Sequence, residues 1–468
     1  MKKSTRHRLA WLASLAWIAS TVCGLALIQF GCSGSADQEI AKAEAAYEKK
    51  DFSQAVALSE SVIHKQPTSV PAHRLKVLAS MAQGEVEGAF NDYDQVEKKY
   101  PNLAPPLLRE ISLGIIKSSL AHENYFIRSA AVKAIGEIGD PAEIPMIVPG
   151  LKDGAPFVRF FTVEALGQLG GPEALKLLLA AGKDPEGMVR VAAVKSLDDM
   201  AEGKKVPAGV DINNLLASFT SDSEPTVKLF ALAAMAKNGD EKAFAQVVES
   251  VPKLDGPARS AGAAALGRTK RKEAVPLLAK MLADKDATLR MYAAEAMGEI
   301  VTPEEFDPLA KATADADTAV RGAAATSLGK LGDPRAAPML EKMLKDPDAI
   351  VRVSAAEGLQ RLGKNSLPVY QAALGESDYA VRHFTVGSLR KVGGKEALPL
   401  LKKAMGDDAQ RVRIAVVRAI GEIGGPEALS ILKEGLKDPD ASVRTYAAGS
   451  VNRLLREGEG KLPKKAGV

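Results

Sequence analysis

The chain has 468 residues, too many for one core, so it must fold as several domains or as an array of repeats. Hydrophobic residues make up 46% but aromatics only 5%, a mixture that suits helices packed through small side chains and argues against a β-sandwich. Of the 62 Lys and Arg, four lie within the first 32 residues, leaving 58 against 58 Asp and Glu; the rest of the chain is neutral and lacks the basic excess that nucleic-acid binding uses to release counterions.

The four early cations, Lys2, Lys3, Arg6 and Arg8, precede an apolar stretch from Leu9 to Phe30 and then Gly31-Cys32-Ser33-Gly34-Ser35. Positive charge before an apolar segment keeps the N-terminus cytoplasmic and sends the remainder across a membrane. Residues 1–32 therefore read as a signal peptide or membrane anchor. Their end resembles a bacterial lipoprotein signal, which implies cleavage before Cys32 and a lipid on that residue. Gln29 and Phe30 depart from the aliphatic and small residues of that motif. The stretch is also long enough to be an uncleaved anchor helix, and an ordinary cleaved signal is the third reading. All three place the remainder of the chain in the cell envelope, membrane-tethered or facing the periplasm or exterior. Both cysteines, Cys23 and Cys32, fall in this leader, so no disulfide staples the rest.

Residues 36–102 carry a 34-residue period: Ala55 and Ala89 match, as do Pro67 and Pro101. With Phe52 before the first alanine and Tyr93 after the second, this resembles the tetratricopeptide family. There a small alanine sits where two helices cross, and a proline follows the second helix. Lys50 stands where that family has a turn glycine, whereas Gly84 keeps it.

Residues 103–456 follow a second period. Basic residues recur at Arg128, Arg159, Arg190, Lys228, Arg259, Arg290, Arg321, Arg352, Arg382, Arg413 and Arg444, with gaps of 31, 31, 38, 31, 31, 31, 31, 30, 31 and 31. Eleven units at this spacing define a repeat array. In the unit around Arg352, Val351, Ala355, Ala356, Leu359 and Leu362 form one apolar stripe at helical period. The spacing predicts Asp346 as N-cap with Pro347 in the first turn, and Asp284, Asp315, Asp407 and Asp438 in the same role. Stops such as Gly332-Asp333-Pro334 end the first helix, and a shorter second helix comes next, with Pro338 near its start. Each hairpin buries its stripe only against its neighbours. The 38-residue gap reflects an inserted loop at Ala201–Gly209, and residues 457–468 read as a polar tail.

This pattern resembles the HEAT-repeat superfamily, in particular the short repeats of phycobilisome lyases. The resemblance implies an all-α fold, a right-handed α-α superhelix, with the tetratricopeptide-like hairpins ahead of it. It also implies an aspartate–arginine ladder. Residues six apart lie about 240° apart around a helix, so the arginine is expected to reach the aspartate of an adjacent unit.

Catalytic and cofactor signatures are missing. His64, His73, His122 and His383 have no partners at metal-ligand spacing, no serine sits in a nucleophile elbow, and Gly458-Glu459-Gly460-Lys461 lacks the rest of a phosphate loop. The expectation is therefore no enzyme, no metal and no cofactor. By the resemblance the arginine helices line a concave side, where Phe160, Phe161, Phe230, Tyr292, Phe384 and Tyr446 stand one or two residues after the basic position. These six are the candidate partner groove. Lys133/Glu137, Glu295/Glu299, Glu357/Arg361 and Arg418/Glu422, at five and nine residues after it, mix signs and read as a solvated face. The functional expectation is a scaffold or adaptor for a protein or peptide partner, held at the membrane by an N-terminal lipid or anchor. The alternative, from the resemblance alone, is a lyase-like or chromophore-handling protein.

Overall fold

The computed structural model describes residues 36–459, which divide at Leu107/Leu108 into two compact units. The leader with Cys32 and the last nine residues of the tail lie outside the described residues. Among those described every regular element is a helix.

The first unit holds two helical hairpins, Ala36–Glu48 with Phe52–Lys65 and Val70–Ala82 with Val86–Lys99. Asp51 opens the second helix by accepting the Gln54 amide at 3.1 Å. Ala55 is fully buried against Ala46 and Ala79, the close crossing that a larger side chain would prevent. Both hairpin turns need left-handed backbone. Gly84 supplies it freely at φ +90°, while Lys50 adopts φ +62° at a cost of about 1 kcal/mol.

In the second unit the eleven basic residues each fall on a helix. These inner helices, numbered 1 to 11, are Tyr125–Ile138, Pro156–Leu169, Gly187–Glu202, Pro225–Lys237, Ala258–Arg268, Ala287–Ile300, Thr318–Leu331, Ala349–Arg361, Tyr379–Val392, Gln410–Ile423 and Ala441–Glu459. Shorter outer helices alternate with them, and Pro145, Pro276, Pro338, Pro368 and Pro399 sit in their first turns, where a missing N–H costs nothing. The predicted stripe is the core: Val351, Ala355, Ala356 and Leu359 are all buried. Successive inner helices approach so closely that a Cβ on Gly329 would come within 2.3 Å of the Gly358 Cα.

The ladder forms between neighbours, as expected. Arg321 donates from Nε and Nη2 to both oxygens of Asp346, at 2.9 and 3.0 Å. The same bidentate pairing joins Arg128–Asp153, Arg159–Asp184, Arg190–Asp222, Arg290–Asp315, Arg382–Asp407 and Arg413–Asp438. Each of these arginines also reaches, through Nη1, the carbonyl six residues before it, so one guanidinium staples two turns; Arg352 does this at 3.0 Å to Asp346. The arginine bonds hold Asp153, Asp222, Asp315 and Asp346 below the usual carboxylate range. This arrangement corrects the expected caps. Asp346 is engaged by Arg321 and by the Asp348 amide, and the N-cap is Asp348, accepting from Ile350 and Val351 two and three residues later. Asp286, Asp317 and Asp440 likewise cap in place of Asp284, Asp315 and Asp438, whereas the residue after the Asp407 turn is Ala409, without a side-chain cap.

The array also differs from an open curved rod, because its ends meet. Inner helix 11 packs along inner helix 1 in the way that consecutive inner helices pack. A Cβ on Gly449 would lie 2.9 Å from the Ala134 backbone oxygen. The hydroxyls of Ser119 and Thr445 share a buried hydrogen bond of 2.7 Å, Arg418 bonds Glu137 at 2.6 Å, and Arg456 donates to the Gly139 carbonyl at 2.8 Å. The second unit is a closed ring of eleven repeats. Among the described residues its closing seam carries no ladder rung, since His122 occupies the aspartate position and Arg444 bonds the carbonyls of Asp438 and Pro439. The inserted loop after inner helix 3 is not a free bulge either: Lys205 donates to the Gln168 carbonyl and accepts the Gly171 amide, strapping repeat 3 to repeat 2.

Candidate functional site

Closure turns the concave side into a lumen, and register between the inner helices stratifies it. Positions two before, two after, five after and nine after each basic residue share one helix face, separated by three or four residues. At a rise of 1.5 Å per residue they form layers roughly 5 to 6 Å apart along the ring axis. The outermost layer, at the N-terminal ends of inner helices 1 to 3, exposes Phe126, Phe157 and Met188 in three consecutive repeats. Tyr125 stacks between the first two, 4.1 Å from Phe126 and 6.5 Å from Phe157. These residues escaped the sequence reading, although their constant spacing before Arg128, Arg159 and Arg190 was a visible signal.

The next layer contains five of the six aromatics of the candidate groove, and Phe160, one residue after Arg159, stands beside it. Phe230, Tyr292 and Phe384 line one cavity of about 510 Å³. Phe160 joins Phe230 and Tyr292 in an adjoining cavity of about 660 Å³. Phe161 packs edge-on against Phe160 at 5.1 Å and beneath the Lys133 ammonium. Tyr446 is buried under the Arg418 guanidinium. Four of the six thus meet in adjoining cavities, while Phe161 and Tyr446 form wall contacts. The larger part of the ring faces this space: Lys195 of inner helix 3 and Lys391 of inner helix 9, on opposite sides of the ring, both border the first cavity.

Beneath the aromatics lies a charged layer, partly buried, which corrects the reading of these positions as a solvated face. Glu357 is fully buried, accepting from Ser388 at 3.0 Å and Arg361 at 3.2 Å. Burial pushes the Lys133 and Lys195 ammonium groups down from the lysine range, aided by Arg418 and Arg268 respectively. Each lies over a phenylalanine ring of the following repeat, Lys133 at 4.3 Å from Phe161 and Lys195 at 4.2 Å from Phe230. Removal from bulk water raises the Glu164 and Glu295 carboxyls. The last layer is largely ion-paired, as in Lys330–Glu299 at 2.5 Å and Arg390–Glu422 at 3.3 Å.

Among the described residues no group of His, Cys, Asp and Glu is placed to hold a metal ion, and no helix is long and apolar enough to cross a membrane. His73 hydrogen-bonds the Pro67 carbonyl and His122 accepts the Asn124 amide, both local turn contacts. The lumen offers apolar area, cation–π walls and charge for holding a ligand.

The profile of HEAT repeats matches residues 114–198, 212–296, 253–317, 284–360 and 366–451, more than half of the sequence. The chain belongs to the HEAT-repeat family. Among solved structures the chain is similar to the CpcE–CpcF complex of phycocyanin lyase from Nostoc, at 19% identity over 48% of this chain and 94% of that one, with a TM-score of 0.36. Human deoxyhypusine hydroxylase matches at 21% identity over 64% of this chain and 99% of its own, with a TM-score of 0.26. An engineered protein matches at 17% identity over 72% of this chain and 98% of its own, also at 0.26. At these identities the likeness concerns the HEAT fold alone. No curated protein matches the sequence.

Proposed function

We propose that this HEAT-repeat chain is a non-enzymatic scaffold or adaptor of the bacterial cell envelope that holds a protein or peptide partner in the lumen of its ring. The observation that carries the reading is the meeting of Phe160, Phe230, Tyr292 and Phe384, from four different repeats, in adjoining cavities. Aromatic side chains in a desolvated recess are the usual anchors of peptide recognition. The exposed Phe126, Phe157 and Met188 extend that apolar surface beyond the recess. The hairpins of the first unit serve as tetratricopeptide-like repeats, and Cys32 carries the membrane lipid.

A photoreactive amino acid in place of Thr326, inside the lumen, is expected to capture the partner from envelope fractions. The same residue in place of the exposed Lys342 on an outer helix is expected to capture nothing. Tyr292→Ala with Phe384→Ala should lower lumen capture at least tenfold. Equal capture from both positions sinks the reading. The membrane assignment has its own check: radiolabelled palmitate should enter the wild-type chain and be lost in Cys32→Ala, and label that persists in the variant removes Cys32 as the lipid site.

A further inference from the structure

Resting on that reading of the lumen, we infer that the channel takes the C-terminal end of a peptide, carboxylate first. The carboxylate meets Lys195, the last apolar side chains lie on Phe230, Tyr292 and Phe384, and a basic residue upstream faces Glu186 and Glu224.

The two cavities are one channel, because both are bordered by Lys195, Phe230, Ala264 and Tyr292. Its inner part is lined by four cations, Lys195, Arg268, Lys330 and Lys391, against two carboxylates, Glu295 and Glu299. Three of the four are already answered, and of the two carboxylates Glu299 pairs with Lys330 while Glu295 faces Lys330 and Lys391. Arg268 bonds Asp198 at 2.5 Å, Lys330 bonds Glu299 at 2.5 Å, and Lys391 lies 3.5 Å from the buried Glu357. Lys195 makes no ion pair among the described residues, and its ammonium rests 4.2 Å from the Phe230 ring. A partly desolvated cation that feels Glu164 and Asp199 without pairing with either gains most from an incoming anion.

At its outer end the channel is bordered by Glu186 and Glu224, both exposed and both without an ion pair among the described residues. The polarity is therefore anion inside, cation outside. A peptide entering amino-end first would set its ammonium beside Lys195 and gain nothing at the rim. Glu186 stands nine residues before Lys195, roughly 13 Å along the axis at 1.5 Å per residue. An extended peptide covers that in about four residues. The basic residue accordingly belongs about four positions before the C-terminus. A small organic acid would satisfy Lys195 but leave the rim and the exposed Phe157 and Met188 untouched, which is why the channel fits a peptide.

The test is fluorescence anisotropy on the chain from residue 36 onward, with a labelled hexapeptide carrying a lysine four positions before a C-terminal leucine and a phenylalanine just before that leucine. The free acid is expected to bind at least tenfold tighter than the C-terminal amide. Lys195→Met should abolish that preference while leaving amide binding unchanged, and Glu186→Gln with Glu224→Gln should weaken only peptides that keep the lysine. Equal affinity of acid and amide for the wild type, or a preference that survives in Lys195→Met, overturns the inference while lumen binding stands. Displacement of the peptide by an equal concentration of 3-phenylpropanoate also overturns it, making the cavity a small-acid site. Failure of both peptide forms to bind overturns it too; the lumen reading is then judged by crosslinking at position 326, which does not depend on a carboxylate.

Discussion

Cysteines in place of Ser119 and Thr445 are expected to join into a disulfide within one chain, although 326 positions separate them. The hydroxyls already stand 2.7 Å apart in a buried contact, close to the 2.05 Å of a sulfur–sulfur bond, so little backbone movement is needed. From residue 36 onward the chain has no other cysteine to compete. An open array of eleven helix pairs at about 9 Å spacing would be roughly 100 Å long, with its first and last repeats far out of reach. The crosslink therefore reads closure directly. Tying so long a loop should raise stability by up to about 5 kcal/mol through the unfolded state. The checks are faster migration on non-reducing gels and a higher guanidinium midpoint that reductant reverses. Free thiols under oxidising conditions, or only intermolecular dimers, would show that the ring is not closed in solution.

Asp198→Ala is expected to cost about 3 kcal/mol, the largest loss from any single carboxylate. Its side chain is fully buried and lies 2.6 Å from the Lys237 ammonium and 2.5 Å from the Arg268 guanidinium, so one group bridges inner helices 3, 4 and 5. In six other repeats its position is glycine, Gly136, Gly167, Gly267, Gly298, Gly329 and Gly421, where the next inner helix comes close. Here the ladder is also broken, since Lys228 and Lys253 occupy positions that elsewhere hold an arginine and its aspartate. A buried charge cluster thus does the joining that glycine contacts and ladder rungs do in other repeats. Removing the carboxylate leaves two shielded cations facing each other. The loss is set at the low end of the buried-pair range because Glu202 still reaches Lys237 at 3.1 Å and Asp199 reaches Arg268 at 2.7 Å. Guanidinium unfolding of the variant, with hydrogen exchange along inner helices 4 and 5, gives the magnitude. A shift under about 1 kcal/mol, or no recovery of stability in Asp198→Ala with Lys237→Met and Arg268→Met, would refute the bridging role.

Much of this molecule was legible from residue order. The repeat period, the helical stripe from Val351 to Leu362, of which Leu362 is only half-buried, the glycine stops and the proline starts are local signals. The aromatic positions were visible for the same reason, since helical period alone puts Phe230, Tyr292 and Phe384 on the face opposite the core stripe. The two aspartates of Asp346-Pro347-Asp348 were not separable that way. Either can cap a helix, and Asp348 does so because Arg321 of the preceding repeat claims the first.

Sequence by itself determined that this is an all-helical array of eleven short repeats, because each repeat's fold depends on its own residues. Only the tertiary structure decided that the array closes, that four of the six aromatics meet in a lumen, and that Lys195 makes no ion pair there among the described residues. Eleven repeats close only if each turns by about 33° on its neighbour, and a few degrees' difference per repeat, summed around the array, would leave it open. Those small rotations arise from packing between repeats, such as Gly329 on Gly358 or Asp198 between its two cations, and no single repeat encodes their sum.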